Sequence, residues 1–202
     1  MVIGTHARIA NRASKQIPAS RYLRAFIVLG SVLPDVNPFS HPHRELNLKK
    51  HITNNQLKIQ SGNSKTIKCI RLGNMLHYLC DYFCYAHNED LEISHGAKHT
   101  AYEMELGREF KEGFEARLKE MPVSGGVTVI NNLEKVKENY ERKPGNCHRD
   151  LKYALSAVDY CVSFMSQSMW LWWLIFNLIN AKAAFNGSLL FCFKGKKHGI
   201  FH

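Results

Sequence analysis

Apolar residues along this chain of 202 residues recur at helical spacing, and strand-like alternation is scarce. The pattern predicts two short helices over 5–16 and 19–30, broken near Pro18, with Thr5 placed to cap the first. From Gly30 to His43 the sequence GSVLPDVNPFSHPH carries three prolines and is expected to be loop. A polar helix follows over 44–60 and ends at the SGNS turn at 61–64. Ser64 can cap the next helix, which runs to about Tyr85 and buries Ile67, Ile70, Leu72, Met75, Leu76 and Leu79. After a loop with Asn88, Ser94 and Gly96, a helix over 97–118 carries Leu106, Phe110, Phe114 and Leu118 four apart, an amphipathic stripe. A Gly-rich break at 124–126 precedes a charged helix at 128–142, and a last helical region begins near His148. There is no internal repeat and no low-complexity linker. The expected class is all-α, with 1–202 forming a single compact multi-helix domain.

The length suits one domain, which buries roughly 70% of its unfolded surface and needs no disulfide staples. A composition 45% hydrophobic and 22% charged excludes a wholly disordered chain. The segment MWLWWLIFNLIN at 169–180 calls for a membrane test. Its apolar run from Met169 to Phe176 is eight residues, against the roughly 20 that a spanning helix needs. Two readings stay open for the C-terminal helices at 128–193: a core position, or a membrane-facing one. In the second, Trp170, Trp172 and Trp173 sit at headgroup depth beside Lys182, Lys194, Lys196 and Lys197.

The N-terminal segment MVIGTHARIANRASK lacks the apolar core and cleavage site of a secretory signal. The expected location is therefore cytoplasmic, with a position peripheral to a membrane as the second reading. Cys69, Cys80, Cys84, Cys147, Cys161 and Cys192 include no CxxC pair, so they read most simply as reduced, partly buried thiols. Cys80 and Cys84, four apart, are a weaker candidate for metal. Net charge is +10, from 27 basic and 17 acidic residues, which favours an anionic partner without choosing among lipid, nucleic acid or phosphate ester. The 11 histidines say more, because imidazole is the commonest protein ligand for zinc.

The chemistry concentrates between His77 and Glu103. His77 and Asp81 are four apart on a helix, so both side chains leave one face and can meet one ion. His87 follows just past the expected helix end. His99 and Glu103 then form a second i, i+4 pair on the next helix. Each pair offers one nitrogen and one oxygen ligand, a set that suits zinc. Two helices joined by a short loop pack antiparallel and bring such pairs together. Taken singly, each pair is more often a surface hydrogen bond. An unpaired Asp81 in the otherwise hydrophobic HYLCD stretch would be costly, which points to a buried cation.

These residues resemble the zinc-dependent phospholipase C family, bacterial enzymes with an all-helical metal domain. The resemblance is carried by GTHARIANRA at the N-terminus, GSVLPD at 30–35, HYLCDYFCYAHN at 77–88 and HTAYE at 99–103. It covers about half the chain, and the last hundred residues match nothing beyond helical character. The resemblance implies two or three zinc ions. His77 and Asp81 would share one with Asp35 and an upstream histidine, for which His51 is favoured, then His43, then His41. His87, His99 and Glu103 would hold a second. His6 would lie at a third, bridged to the first by Asp81. Asp35 also matches the position given a general-base role. His95 matches nothing. In secreted members a processed N-terminal residue, typically Trp, completes the third zinc through its amine and carbonyl. Here Met1 stands five residues before His6, so either this segment supplies those ligands or the third site is weak or absent.

The expected activity is hydrolysis of a phosphodiester by metal-activated water, with a phospholipid headgroup the first choice of substrate. A zinc nuclease acting on single strands is the alternative, favoured by +10. It is disfavoured because HTAYE ends in Glu103, where such nucleases carry a Trp-Asp pair. A metal-stabilised, membrane-associated binding protein without turnover is the third reading.

Overall fold

The computed structural model describes residues 1–36, 45–62, 64–87, 96–111, 129–142 and 145–166. The described residues are helical and include no strand, so the chain is all-α. It divides into two compact units, Met1–Phe164 and Met165–His202. The first contains α1 (Ile3–Ser14), α2 (Arg21–Val36), α3 (Glu45–Ser61), α4 (Lys65–Tyr82), a 3₁₀ turn (Tyr85–His87), α5 (Gly96–Lys111), α6 (Val129–Glu141) and the start of α7 (147–166). The candidate ligands His41 and His43 lie outside the described residues. So do His95, Phe114, Leu118, Cys192 and the tryptophan segment at 169–180. Among the described residues no helix is long and apolar enough to cross a membrane.

α4 is the central strut. It packs against α2 on one side and α3 on another, and buries Cys69, Leu72, Met75, Leu76, Leu79, Cys80 and Tyr82 around much of its circumference. Ser64 caps it as expected, its Oγ accepting from the Ile67 N–H at 3.4 Å. Two residues depart from the predicted core: Ile67, in the first turn, is half exposed, and Ile70 is only partly buried.

Two further expectations are corrected. α1 starts at Ile3, so Thr5 is not its cap. The Val2 carbonyl accepts from the N–H groups of Thr5 (2.8 Å) and His6 (3.3 Å), and Thr5 is buried in the first turn. The stretch after Gly30 is not loop as far as Val36: α2 continues through Pro34. A proline this near a helix end removes a single ladder bond, and packing on α4 holds the turn.

That packing depends on two glycines. A Cβ on Gly73 would lie 2.0 Å from the Ile27 carbonyl oxygen, and one on Gly30 would lie 2.2 Å from that of Ile70. The backbones of α2 and α4 therefore meet directly. This approach places the Ser31 carbonyl against His77.

Candidate metal centre

His77 is fully buried on α4. Its Nδ1 lies 3.0 Å from the Ser31 carbonyl oxygen. A carbonyl can only accept, so Nδ1 carries the proton and Nε2 presents its lone pair to the interior. Nε2 faces Asp81 Oδ2 at 3.2 Å and Asp35 Oδ1 at 3.7 Å. The continuation of α2 through Pro34 is what brings Asp35 here.

The other face of Asp81 meets the N-terminus. Starting α1 at Ile3 points His6 inward, where its ring stacks on His77 with centroids 3.9 Å apart. His6 Nε2 lies 3.3 Å from Asp81 Oδ1. His6 is buried, and its Nδ1 has no hydrogen-bond partner among the described residues. Burial, reinforced by the neighbouring His77, drives its pKa down to about 3, so the ring is neutral. A neutral, buried imidazole with an unused nitrogen is the form that binds metal. One donor atom each from His6, Asp35 and His77 falls within 4.8 Å of the others.

The second cluster is His87, His99 and Glu103, whose donor atoms also lie within 4.8 Å of one another. The 3₁₀ turn delivers His87, and one face of α5 delivers the i, i+4 pair. Glu103 Oε1 lies 3.1 Å from His87 Nε2 and 3.0 Å from His99 Nε2. His87 Nε2 is also 3.3 Å from Asp81 Oδ1. Asp81 thus touches histidines of both clusters.

The Met1 amine lies between them, 2.8 Å from Asp81 Oδ1, 2.7 Å from Glu103 Oε1 and 3.3 Å from His87 Nε2. Burial opposes its charge, but Asp81 and Glu103 outweigh that and raise its pKa to about 12. Burial likewise works against the Asp81 carboxylate, yet His87, the amine, His6 and His77 hold it well below the ordinary range. Glu103, opposed by burial and favoured by His87 and the amine, falls to about 2. Two ionised carboxylates among imidazoles already accommodate a cation. Burial works against a charged His87, yet Asp81 and Glu103 raise its pKa, so this ring would release a proton on binding metal. The donor set fits zinc in ligand type.

His51 is not one of the donors grouped in either cluster. Its ring stacks on Tyr78 at 4.5 Å, next in sequence to His77. Cys80 and Cys84 are buried, free thiols that join neither cluster. Composition and motif reading give no role to Ser31 or Gly73, whereas the N-terminal segment of Met1 is one of the two alternatives left open for the third site. Gly73 alone had a visible signal, a glycine inside an otherwise continuous helical pattern.

Helices presenting two adjoining nitrogen-and-carboxylate clusters define an all-α protein with candidate divalent-metal sites. Residues 5–143 match the zinc dependent phospholipase C family. The chain belongs to that family, which supports a phospholipase or phosphodiesterase type of hydrolase in general terms. No curated protein and no solved structure matches the chain.

Proposed function

We propose that the chain is a zinc-dependent phosphodiesterase that cleaves phospholipid headgroups. The observation that carries this reading is the place of Asp81, with Oδ1 3.3 Å from both His6 and His87 and Oδ2 3.2 Å from His77. A carboxylate shared between two clusters suits closely spaced ions. His77, Asp81, Asp35 and His6 would hold metal on one side, and His87, His99 and Glu103 on the other. His51 is the proposed upstream ligand, supported by its contact with the residue after His77. Zinc, when bound, acidifies water and offsets phosphodiester charge.

The protein's own groups supply the rest. Ser31 fixes the His77 tautomer through its carbonyl. Asp35 lies at the edge of the first cluster with 19% of its side chain accessible, a place from which its carboxylate can orient or deprotonate an attacking water. The excess of basic residues attracts an anionic substrate surface. A cytoplasmic setting and membrane contact through Trp170, Trp172 and Trp173 belong to the same proposal.

One substrate panel tests it: phosphatidylcholine liposomes, a soluble phosphocholine diester and single-stranded DNA, each with and without a chelator. Cleavage of lipid that a chelator stops and zinc restores is the expected result. Salt-sensitive cleavage of DNA alone would transfer the assignment to a nuclease. Zinc binding with no hydrolysis of any substrate would favour the binding-protein reading.

A further inference from the structure

A second buried carboxylate lies behind the metal clusters. Asp150, on α7, is fully buried and accepts three hydrogen bonds. Oδ2 takes the Tyr85 N–H at 2.6 Å and the Tyr102 hydroxyl at 2.8 Å, and Oδ1 takes the Tyr140 hydroxyl at 2.6 Å. Tyr85 opens the 3₁₀ turn that ends at His87, and Tyr102 immediately precedes Glu103 on α5.

Two neighbours tighten the same clasp. A Cβ on Gly145 would lie 2.2 Å from the Tyr85 ring, so only glycine lets the chain close over it. Cys147 Sγ approaches the Tyr102 carbonyl oxygen at 3.9 Å. Gly145, Cys147 and Asp150 all fall beyond the family-matched span, which stops at residue 143.

We propose that Asp150 is a positioning residue that fixes His87 and Glu103 relative to each other, through Tyr85 and Tyr102, and so sets the affinity of the second metal site. The proposal rests on the reading of these clusters as zinc sites. His87 sits on a short turn and Glu103 on a separate helix. One carboxylate anchored in a third helix grips the backbone two residues before one ligand and the side chain adjoining the other. Supporting groups of this kind change metal affinity tenfold to a hundredfold when removed.

The test is titration of the full chain with Zn²⁺ alone against a chromophoric chelator. It compares wild type with Asp150→Leu, Asp150→Asn and Tyr102→Phe, using Glu103→Ala to mark the equivalent that belongs to the second cluster. Asp150→Leu should weaken that equivalent by roughly ten- to a hundredfold and leave the rest unchanged. Tyr102→Phe should weaken it less, and Asp150→Asn, which still accepts from the Tyr85 N–H, should restore most of the affinity. Val158→Ala, a cavity in the same helix, should lower stability without changing zinc affinity. Equal weakening of every equivalent would overturn the proposal, as would unchanged affinity in Asp150→Leu. If Asp150→Leu does not fold, Tyr102→Phe decides, and unchanged affinity there overturns it. A wild type that takes up no zinc would instead defeat the metal reading, and the clasp proposal with it.

Discussion

The ring of His6 lies stacked on that of His77, centroids 3.9 Å apart and planes 29° from parallel. One ring comes from the first turn of α1 and the other from α4, and α2 reaches into the same region with Ser31 and Asp35. The stack exists because the helices approach closely enough to bury two imidazoles against Asp81. The site is therefore sensitive to small changes in helix spacing.

Gly73 controls that spacing. Gly73→Ala would place a Cβ 2.0 Å from the Ile27 carbonyl oxygen and 2.7 Å from the Ser31 nitrogen, both backbone atoms that cannot swing away. The expected loss is about 3 kcal/mol, measured by urea unfolding. Gly4→Ala is the contrast. Nothing lies within 4 Å of its added Cβ, and Ala in a helix should leave stability unchanged or raise it by up to about 1 kcal/mol.

The Met1 amine lies against Asp81 and Glu103 at 2.8 and 2.7 Å. Placing a Gly-Ser extension ahead of Met1 replaces the ammonium with a neutral amide and leaves two buried carboxylates short of their cation. The metal-free protein should lose on the order of 3 kcal/mol, read by thermal unfolding, and added Zn²⁺ should recover part of it. Identical unfolding of the extended and original chains would show that the amine is dispensable.

Asp159 ties α7 to α1. Arg12 donates to its two oxygens at 2.6 and 2.7 Å, and Gln16 donates at 2.7 Å. Arg12 is one-third exposed, so water screens part of the attraction. Asp159→Ala should cost about 2 kcal/mol in denaturant unfolding and leave zinc stoichiometry unchanged. A loss of zinc would show that the α1 anchor also sets the position of His6.

Asp150 gives the fold a pH dependence of definite sign. Burial pushes its pKa up, to about 6 from an ordinary 3.8, against the lowering effect of its bonds to Tyr140, Tyr85 and Tyr102 and of the Lys137 charge. Between those values the folded chain holds a proton that the unfolded chain has released, so this group's contribution to stability falls as pH rises. Full ionisation costs roughly 3 kcal/mol. The stability of wild type minus that of Asp150→Asn should therefore decline by about that amount from below pH 4 to above pH 6. A flat difference across the window would contradict the assignment.

The helices and most ligand candidates could be read in the sequence because both rest on local spacing. His77 with Asp81 and His99 with Glu103 are i, i+4 pairs, visible without any tertiary information. The Gly30–Val36 stretch differs from its local signal for a physical reason: Pro34 reads as loop, and the helix continues through it where α2 packs along α4. The same limit applies to Thr5, whose capping chemistry was overridden when α1 began two residues earlier. His51 has the right residue type at a plausible distance in sequence, and its ring lies on Tyr78, the residue after His77. Asp150 gave no signal, since its partners Tyr85, Tyr102 and Tyr140 are scattered over 56 residues and joined only by the fold.

The most direct test of a zinc centre organised around Asp81 is the zinc content of the purified chain after dialysis against trace Zn²⁺, measured beside Asp81→Asn. Wild type should retain two or three equivalents, and the variant at least one fewer, with unchanged helix content by circular dichroism. A wild type that retains none, or an Asp81→Asn protein that holds as many as wild type, would contradict it.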